Sequence, residues 1–352
     1  MHKWGVISAD SHILIKDDAL LSHLEPKWRA PVKEVFDSRL KAIKESSSRL
    51  YETPKWAAAG RAGEWDPTER LKDMDTDMVD AEVLYSSPDG GTRYYSLPRE
   101  GCIKAIQAFN DAALDFTSAD PKRLLAVHLA PVTDPETAVT EVKRLAHAGV
   151  KAIMIPAQPL DLGLKPYWDR SWDPLWATLE ETGIPVSQHL GGNQTLQRLM
   201  PHDPTPNYGI FRALSQLVLS EQLAGWCMAG TLHRFPKLKI VMVEAGLGWI
   251  PYMLERMDYT VRKLQWKKEV LPEKPSHYWY QSIAATFEED EFGVRNRHDI
   301  GVNSLMWASD YPHPDSTWPD SHGSIKKQFA GVPADEVKKM TYGNVVRFYH
   351  LN

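Results

Sequence analysis

The sequence predicts a (β/α)8 barrel with a long insertion after its first strand, and three observations lead there. Short apolar runs alternate with helical patterns along almost the whole chain, the order that builds a parallel sheet with right-handed crossovers. Four of these runs reach a metal-binding residue type: 6–12 ends Asp-Ser-His, 184–189 ends Gln-His, 240–244 ends on Glu and 305–310 ends on Asp. Barrel enzymes draw their catalytic groups from the C-terminal ends of several strands. The Gly-rich phosphate loop of an open nucleotide-binding sheet is missing after the first run, which counts against that competing architecture.

The elements follow in order. Residues 4–9 read as the first strand. The stretch from about 17 to 69 holds Trp28, Trp56 and Trp65 with Gly60 and Gly63 and is too long for a tight connection. Long ordered loops of this kind often serve as lids; the alternative is a mobile surface arm. Asp66-Pro67-Thr68-Glu69 starts a helix, with Asp66 as N-cap, Pro67 at the first helical position and Glu69 at the third. Residues 81–85 form the second strand, a helix near 100–118 leads to the third at 124–129, and 134–147 is a crossover helix closing before Gly149. The fourth strand is 150–155. Residues 173–182 are helical, capped by Asp173-Pro174 and ended by Gly183. His189 ends the fifth strand, Gly191-Gly192-Asn193 is a loop, and one long helix runs to about Phe235. Residues 239–244 are the sixth strand, 250–268 a helix, 282–287 and 304–309 the last strands, and 335 to about 348 a closing helix.

Bulk properties set the class. The chain has 352 residues, 43% hydrophobic and 25% charged, so one decorated barrel over 1–352 accounts for its length. A net charge of −5 gives no electrostatic reason to expect nucleic acid or an anionic membrane as partner. Cys102 and Cys227 are the two cysteines; a disulfide framework is not expected, and a reducing cytoplasm is. The N-terminus lacks an apolar signal core, and no apolar stretch is long enough for a bilayer. The expected partner is a small-molecule substrate, and the expected assembly a homodimer.

Asp10 and His12 are two apart at a strand end, so their side chains point the same way and can meet one ion. His189 is followed by glycines that let the backbone turn and leave room for a substrate; Gln188 faces the other side and reads as structural. Glu244 follows four apolar residues. A carboxylate there is costly unless it meets a cation or donors, either a metal or an arginine such as Arg256. Asp310 ends the last strand and can hold a metal or take a proton from its bound water. His313 lies three residues on, in a Pro-stiffened loop, as a further ligand or substrate contact. His128, Arg93, Tyr94, Tyr95, Trp249 and Trp318 are weaker candidates for the site's walls. Ser11 and Ser187 are poor nucleophiles, because no Gly-x-Ser-x-Gly elbow surrounds them.

These pieces together resemble a known family. Asp10-Ser11-His12, Arg70-Leu71-Lys72-Asp73-Met74-Asp75, Ala81-Glu82-Val83-Leu84-Tyr85, Gln188-His189-Leu190-Gly191-Gly192, Glu244-Ala245-Gly246-Leu247-Gly248-Trp249, Ser309-Asp310-Tyr311-Pro312-His313 and Tyr342-Gly343-Asn344-Val345-Val346-Arg347-Phe348-Tyr349 resemble the amidohydrolase superfamily. The likeness is to the branch of aminocarboxymuconate-semialdehyde decarboxylase and its relatives. It implies a (β/α)8 barrel with a divalent ion at its C-terminal mouth, and carries over Asp10, His12, His189 and Asp310 as metal-site residues. Two departures stand out. Many relatives have His-x-His where this chain has Asp10 and His12, and the decarboxylases place a catalytic histidine where it has Glu244. The extra carboxylate is similar to the pattern of the superfamily's dinuclear iron thioesterases.

The expectation is therefore a metal-dependent hydrolase. Asp10, His12, His189, Glu244 and Asp310, with His313 as a sixth, hold one or two divalent ions of zinc, iron or manganese. Metal-activated water, with Asp310 moving its proton, attacks an amide, ester or thioester carbonyl. The alternatives are a non-oxidative metal-dependent decarboxylase and a metal-free binding protein on the same fold.

Overall fold

A computed structural model describes residues 5–47, 60–86, 91–191, 206–265, 270–313 and 315–351. Its strands are β1 (Ile7–Ile13), β2 (Ala81–Ser86), β3 (Leu124–Ala126), β4 (His128–Leu129), β5 (Ile153–Met154), β6 (Val186–His189), β7 (Ile240–Val243), β8 (Ile283–Phe287) and β9 (Leu305–Trp307). They pair in sequence order, β1-β2-β3 and then β4 through β9, and every ladder is parallel. β3 and β4 are one strand that changes partner at Val127. The Val127 amide donates to the Leu84 carbonyl (2.8 Å) and the His128 amide to that of Ala152 (3.0 Å). β1 and β9 close the ring: the Asp310 amide donates to the Asp10 carbonyl (3.0 Å) and the His12 amide to the Tyr311 carbonyl (2.6 Å). Counting β3 and β4 once leaves the eight positions of a closed barrel, as expected.

The strands are apolar because each is covered on both faces. β1 through β5, β7, β8 and β9 are buried throughout. The first strand is shifted from its expected place. It runs through Asp10 and His12 to Ile13, where the sequence reading stopped at the first charged residue. Polar residues continue the strand because the barrel's mouth receives them.

The helix signals fared unevenly. Asp66 caps Pro67–Asp77, its side chain accepting the amides of Thr68 and Glu69. Asp134 caps Pro135–His147 by accepting the Thr137 amide. Asp173 is not a cap: it lies in the first turn of Asp173–Thr182, and Trp172 occupies the cap. There its carboxylate pairs with Arg234 at 2.8 Å. The long helix to Phe235 is broken into Pro206–Leu214, a 3-10 turn at Ser215–Leu219, Ser220–Met228 and Thr231–Arg234. The Ser215 and Ser220 hydroxyls donate to the carbonyls of Arg212 and Leu217 at the breaks, where such bonds compete with the helical ladder. Gly230 then turns with φ +75°.

The insertion contains helices Asp17–Ser22 and Pro26–Ser47 and a 3-10 turn at Ala62–Glu64. Trp28 does not face the mouth. Its ring lies against Gly101 of helix Arg99–Thr117, where a Cβ would come within 2.7 Å of it. Lys16 lies 4.4 Å over the Trp65 ring, while Trp56, Gly192 and Asn193 fall outside the described residues. Among the described residues no helix is long and apolar enough to cross a membrane.

Candidate active site

The strand ends deliver all six expected residues to one place. Asp10, His12, His189 and Glu244 each offer a ligand atom within 4.8 Å of the others, and so do His12, Glu244, Asp310 and His313. His12 Nε2 is 3.5 Å from Asp10 Oδ1 and 3.1 Å from Asp310 Oδ1. His189 Nε2 is 3.7 Å from Asp10 Oδ1 and 3.6 Å from Glu244 Oε2. His313 Nδ1 is 2.9 Å from Asp310 Oδ1, and its ring centre is 3.8 Å from that of His12.

The backbone is bent to achieve this. Glu244 and Asp310 are non-glycine residues with φ of 54° and 51°, a conformation that costs on the order of 1–3 kcal/mol and persists where the surroundings enforce it. The Glu244 amide is held by Thr286 Oγ1 at 2.7 Å, and the Asp310 turn is closed by the His313 amide on its carbonyl at 2.8 Å. His189 Nδ1 lies 2.7 Å from the Leu190 carbonyl. A carbonyl only accepts, so Nδ1 carries the hydrogen and Nε2 is the nitrogen turned toward the cluster.

The donor set fits a cation. Both oxygens of Asp10 and of Asp310, both nitrogens of His12 and Nε2 of His189 are buried without a hydrogen-bond partner among the described residues. Orphaned buried carboxylates are costly unless an ion meets them, and mixed oxygen and imidazole donors suit borderline or hard divalent ions.

The titration behaviour shows the same conflict. Burial pushes Asp10 up to about 6 despite His189. Burial, with Asp310 repelling, pushes Glu244 up to about 8. Burial and the charge of His313 drive His12 well below its ordinary value. Burial disfavours charge on His189 too, but Asp10 and Glu244 outweigh it and raise that imidazole to about 9. At His313 burial is likewise outweighed, by Asp310 above all, and the pKa rises to about 10. Burial would raise Asp310, yet His313 and His12 hold it below the usual carboxylate range. One positive charge among these groups would relieve most of the strain.

The weaker candidates go elsewhere. His128 Nδ1 meets the carbonyl of Ala126 at 3.0 Å, and the charged groups that act on it are Arg144 and Glu141 of helix Pro135–His147. It faces the outer layer, not the mouth. Arg93 lies over Phe36 and Tyr94, and the Tyr95 hydroxyl donates to the Ala130 carbonyl at 3.3 Å. Trp249 bonds the Ala245 carbonyl and Trp318 that of Asp73. Gln188 is structural, as expected, accepting the Trp226 indole N–H at 2.6 Å. The Ser11 hydroxyl is shared with Ser8 and Ser309, and that of Ser187 with Tyr85. Glu244 meets Arg212 at 3.9 Å rather than Arg256, which lies over Tyr259.

Several neighbours were missed. Glu288, 9% exposed, follows β8, and Oε1 has no partner among the described residues. Burial, with Asp310 and Glu244 nearby, holds it well above the carboxylate range. Its position after an apolar strand is the signature that marked Glu244. Arg212 reaches the site from helix Pro206–Leu214, and no local pattern announced it. Tyr85 backs the site, its ring centre 5.4 Å from that of His189.

Comparison with known proteins adds the following. A family model described as Amidohydrolase matches residues 21–351. The 2-amino-3-carboxymuconate-6-semialdehyde decarboxylase of Dictyostelium discoideum is 24% identical over 261 residues, 71% of this chain and 67% of that protein. The gamma-resorcylate decarboxylase of Polaromonas sp. is 22% identical over 270 residues, 69% and 75% of the two chains. A solved structure of 5-carboxyvanillate decarboxylase from Novosphingobium aromaticivorans, complexed with manganese and 4-hydroxy-3-methoxy-5-nitrobenzoic acid, superimposes with a TM-score of 0.73 at 17% identity, covering 99% of this chain and 97% of that one. Both curated relatives are decarboxylases. The expectation of amide, ester or thioester hydrolysis, with the likeness to iron thioesterases, is corrected accordingly. It rested on Glu244, and a carboxylate there does not discriminate: both reactions need an anchored substrate and a group that moves a proton.

Proposed function

Because the chain belongs to the amidohydrolase family, whose curated members similar to it remove carboxyl groups, we propose that it is a metal-dependent, non-oxidative decarboxylase of a small aromatic or unsaturated acid. The observation that carries this reading is the cluster of orphaned carboxylate and imidazole atoms at the mouth of a barrel shared with decarboxylases. Asp10, His12, His189 and Asp310 would hold the ion, with Glu244 and His313 beside it. Manganese is the ion to try, since it occupies the carboxyvanillate enzyme. When bound, the ion supplies positive charge that anchors an anionic substrate and stabilises the electron pair left on carbon as the C–C bond breaks.

The remaining chemistry belongs to side chains. The carbon that loses carbon dioxide must gain one proton. Asp310 is placed to move it, with an imidazole on each side at 3.1 and 2.9 Å. His313, 31% exposed on its side chain and 2.9 Å from Asp310, connects Asp310 to solvent. It supplies from the last loop an imidazole function for which position 244 has only a carboxylate. We further expect one catalytic unit over 1–352 that works as a homodimer in the cytoplasm, in keeping with two buried, unbridged cysteines.

The test is a panel of hydroxybenzoates and muconate-type acids given to protein stripped of metal and reloaded with manganese. Carbon dioxide release that depends on the ion supports the reading. Acid formed from esters, amides or thioesters, without carbon dioxide, contradicts it.

A further inference from the structure

The seam between β1 and β9 contains an arginine that the reaction does not use. Arg70, 0% exposed, lies on helix Pro67–Asp77 and touches both strand ends that supply ligands there. Its Nη1 donates to the carbonyls of His12 (2.8 Å) and Gly63 (3.3 Å). Its Nε donates to Glu82 on β2 at 2.5 Å, and its guanidinium lies 4.3 Å over the Tyr311 ring. Tyr311 follows Asp310. Its carbonyl accepts the His12 amide (2.6 Å), and its hydroxyl donates to Asp73 (2.5 Å), which Arg61 grips with two bonds. Both backbone polar groups of His12 thus end on one buried assembly.

The β1 ladder needs such help. Its register with β2 shifts between Ser8 and Ser11, one extra residue just where Asp10 lies, and a bulge re-aims the side chains around it. The insertion joins the assembly through the turn Ala62–Glu64. A Cβ at Gly63 would lie 2.7 Å from both Asp73 Oδ2 and the Tyr311 hydroxyl, so only glycine lets the turn settle there.

We propose that Arg70 is a positioning residue of the metal site, aiming the His12 imidazole at Asp310 through the His12 carbonyl and the Tyr311 ring, so that ion affinity depends on how the end of the insertion docks. This rests on the reading that Asp10, His12, His189 and Asp310 hold an ion. Outer partners that orient ligands change ion affinity about 10- to 100-fold, whereas a buried ion pair exchanged for apolar side chains of similar size often leaves stability unchanged.

The experiment measures manganese binding to the full chain by the spin-resonance signal of the free ion, with urea unfolding in parallel. Arg70→Met alone would leave Glu82 buried and unpaired, so it is combined with Glu82→Leu. The double variant is expected to unfold cooperatively and to bind manganese about 10- to 100-fold more weakly than wild type. Gly63→Ala keeps every charge and is expected to weaken binding in the same direction, by less. As a control, Glu141→Leu with Arg144→Met removes an ion pair between a buried carboxylate and a partly exposed arginine from the outer helix and is expected to leave affinity unchanged. Wild-type affinity in the folded double variant overturns the proposal. If that variant does not fold, Gly63→Ala decides: weakened binding supports the proposal and wild-type affinity overturns it. Equal weakening in the control also overturns it, because general loosening would then explain the effect. A wild-type chain that binds no manganese defeats the metal reading itself, and this inference with it.

Discussion

His12 and His128 are each 2% exposed and each lies in a strand of the same barrel. They differ in what they meet. His12 faces Asp10, Asp310 and the rings of His189 and His313, and both of its nitrogens lack a partner among the described residues. His128 bonds a carbonyl of its own strand run through Nδ1, and its Nε2, also unpartnered among the described residues, belongs to a ring whose charged neighbours are an ion pair, Glu141 and Arg144. Burial alone therefore says little about function. Convergence of several unsatisfied donors from different strands separates a ligand from a core histidine.

The sharpest way to break this comparison is to damage one histidine's surroundings and not the other's. Asp310→Asn should lower turnover by about 10²- to 10⁴-fold, the usual range for a group that moves a proton. His128→Gln should leave turnover within about twofold, because it touches nothing at the mouth. Steady-state rates of the manganese enzyme check both.

The pH dependence of stability sharpens the contrast next. Burial lowers the His128 pKa from 6.5 to about 4. The folded state keeps the ring neutral while the unfolded chain takes up a proton, so stability is full above about pH 6.5 and falls as pH drops toward about 4. Each pKa unit is worth about 1.4 kcal/mol, so His128 should account for a loss of ~3 kcal/mol across that window. Unfolding free energies from urea titrations of wild type and His128→Gln should diverge by that amount across the window, the variant being the flatter.

Ion binding should stabilise only the cluster side. Manganese at a hundredfold excess over its dissociation constant should add about 2.7 kcal/mol to unfolding, seen as a higher Tm. His12→Asn should abolish that rise and His128→Gln should keep it. The smallest expected effect is structural. Asp134→Ala removes a helix cap and should cost about 1 kcal/mol with manganese affinity unchanged.

The barrel was legible because its evidence is local and repeated. Apolar runs at 81–86, 240–243 and 283–287 and caps at Asp66 and Asp134 each declare themselves within a few residues. The clustering of the candidate residues was legible for a related reason: a carboxylate or imidazole after an apolar run points into the mouth. That rule, applied consistently, would also have singled out Glu288, which follows β8. Arg70 and Arg212 were not legible. They reach their partners from helices, where an arginine in the pattern looks like any solvated one. The choice between hydrolysis and carbon dioxide loss was not legible either, since a metal-anchoring cluster and a proton-moving carboxylate serve both.

The most direct test of the central claim is a decarboxylation assay in deuterium oxide, using carboxyl-labelled acids from the hydroxybenzoate and muconate panel with and without manganese. The account predicts labelled carbon dioxide only from the ion-loaded protein, with one deuterium on the vacated carbon. Product formation undiminished after the metal is stripped, or undiminished by Asp310→Asn, would contradict it.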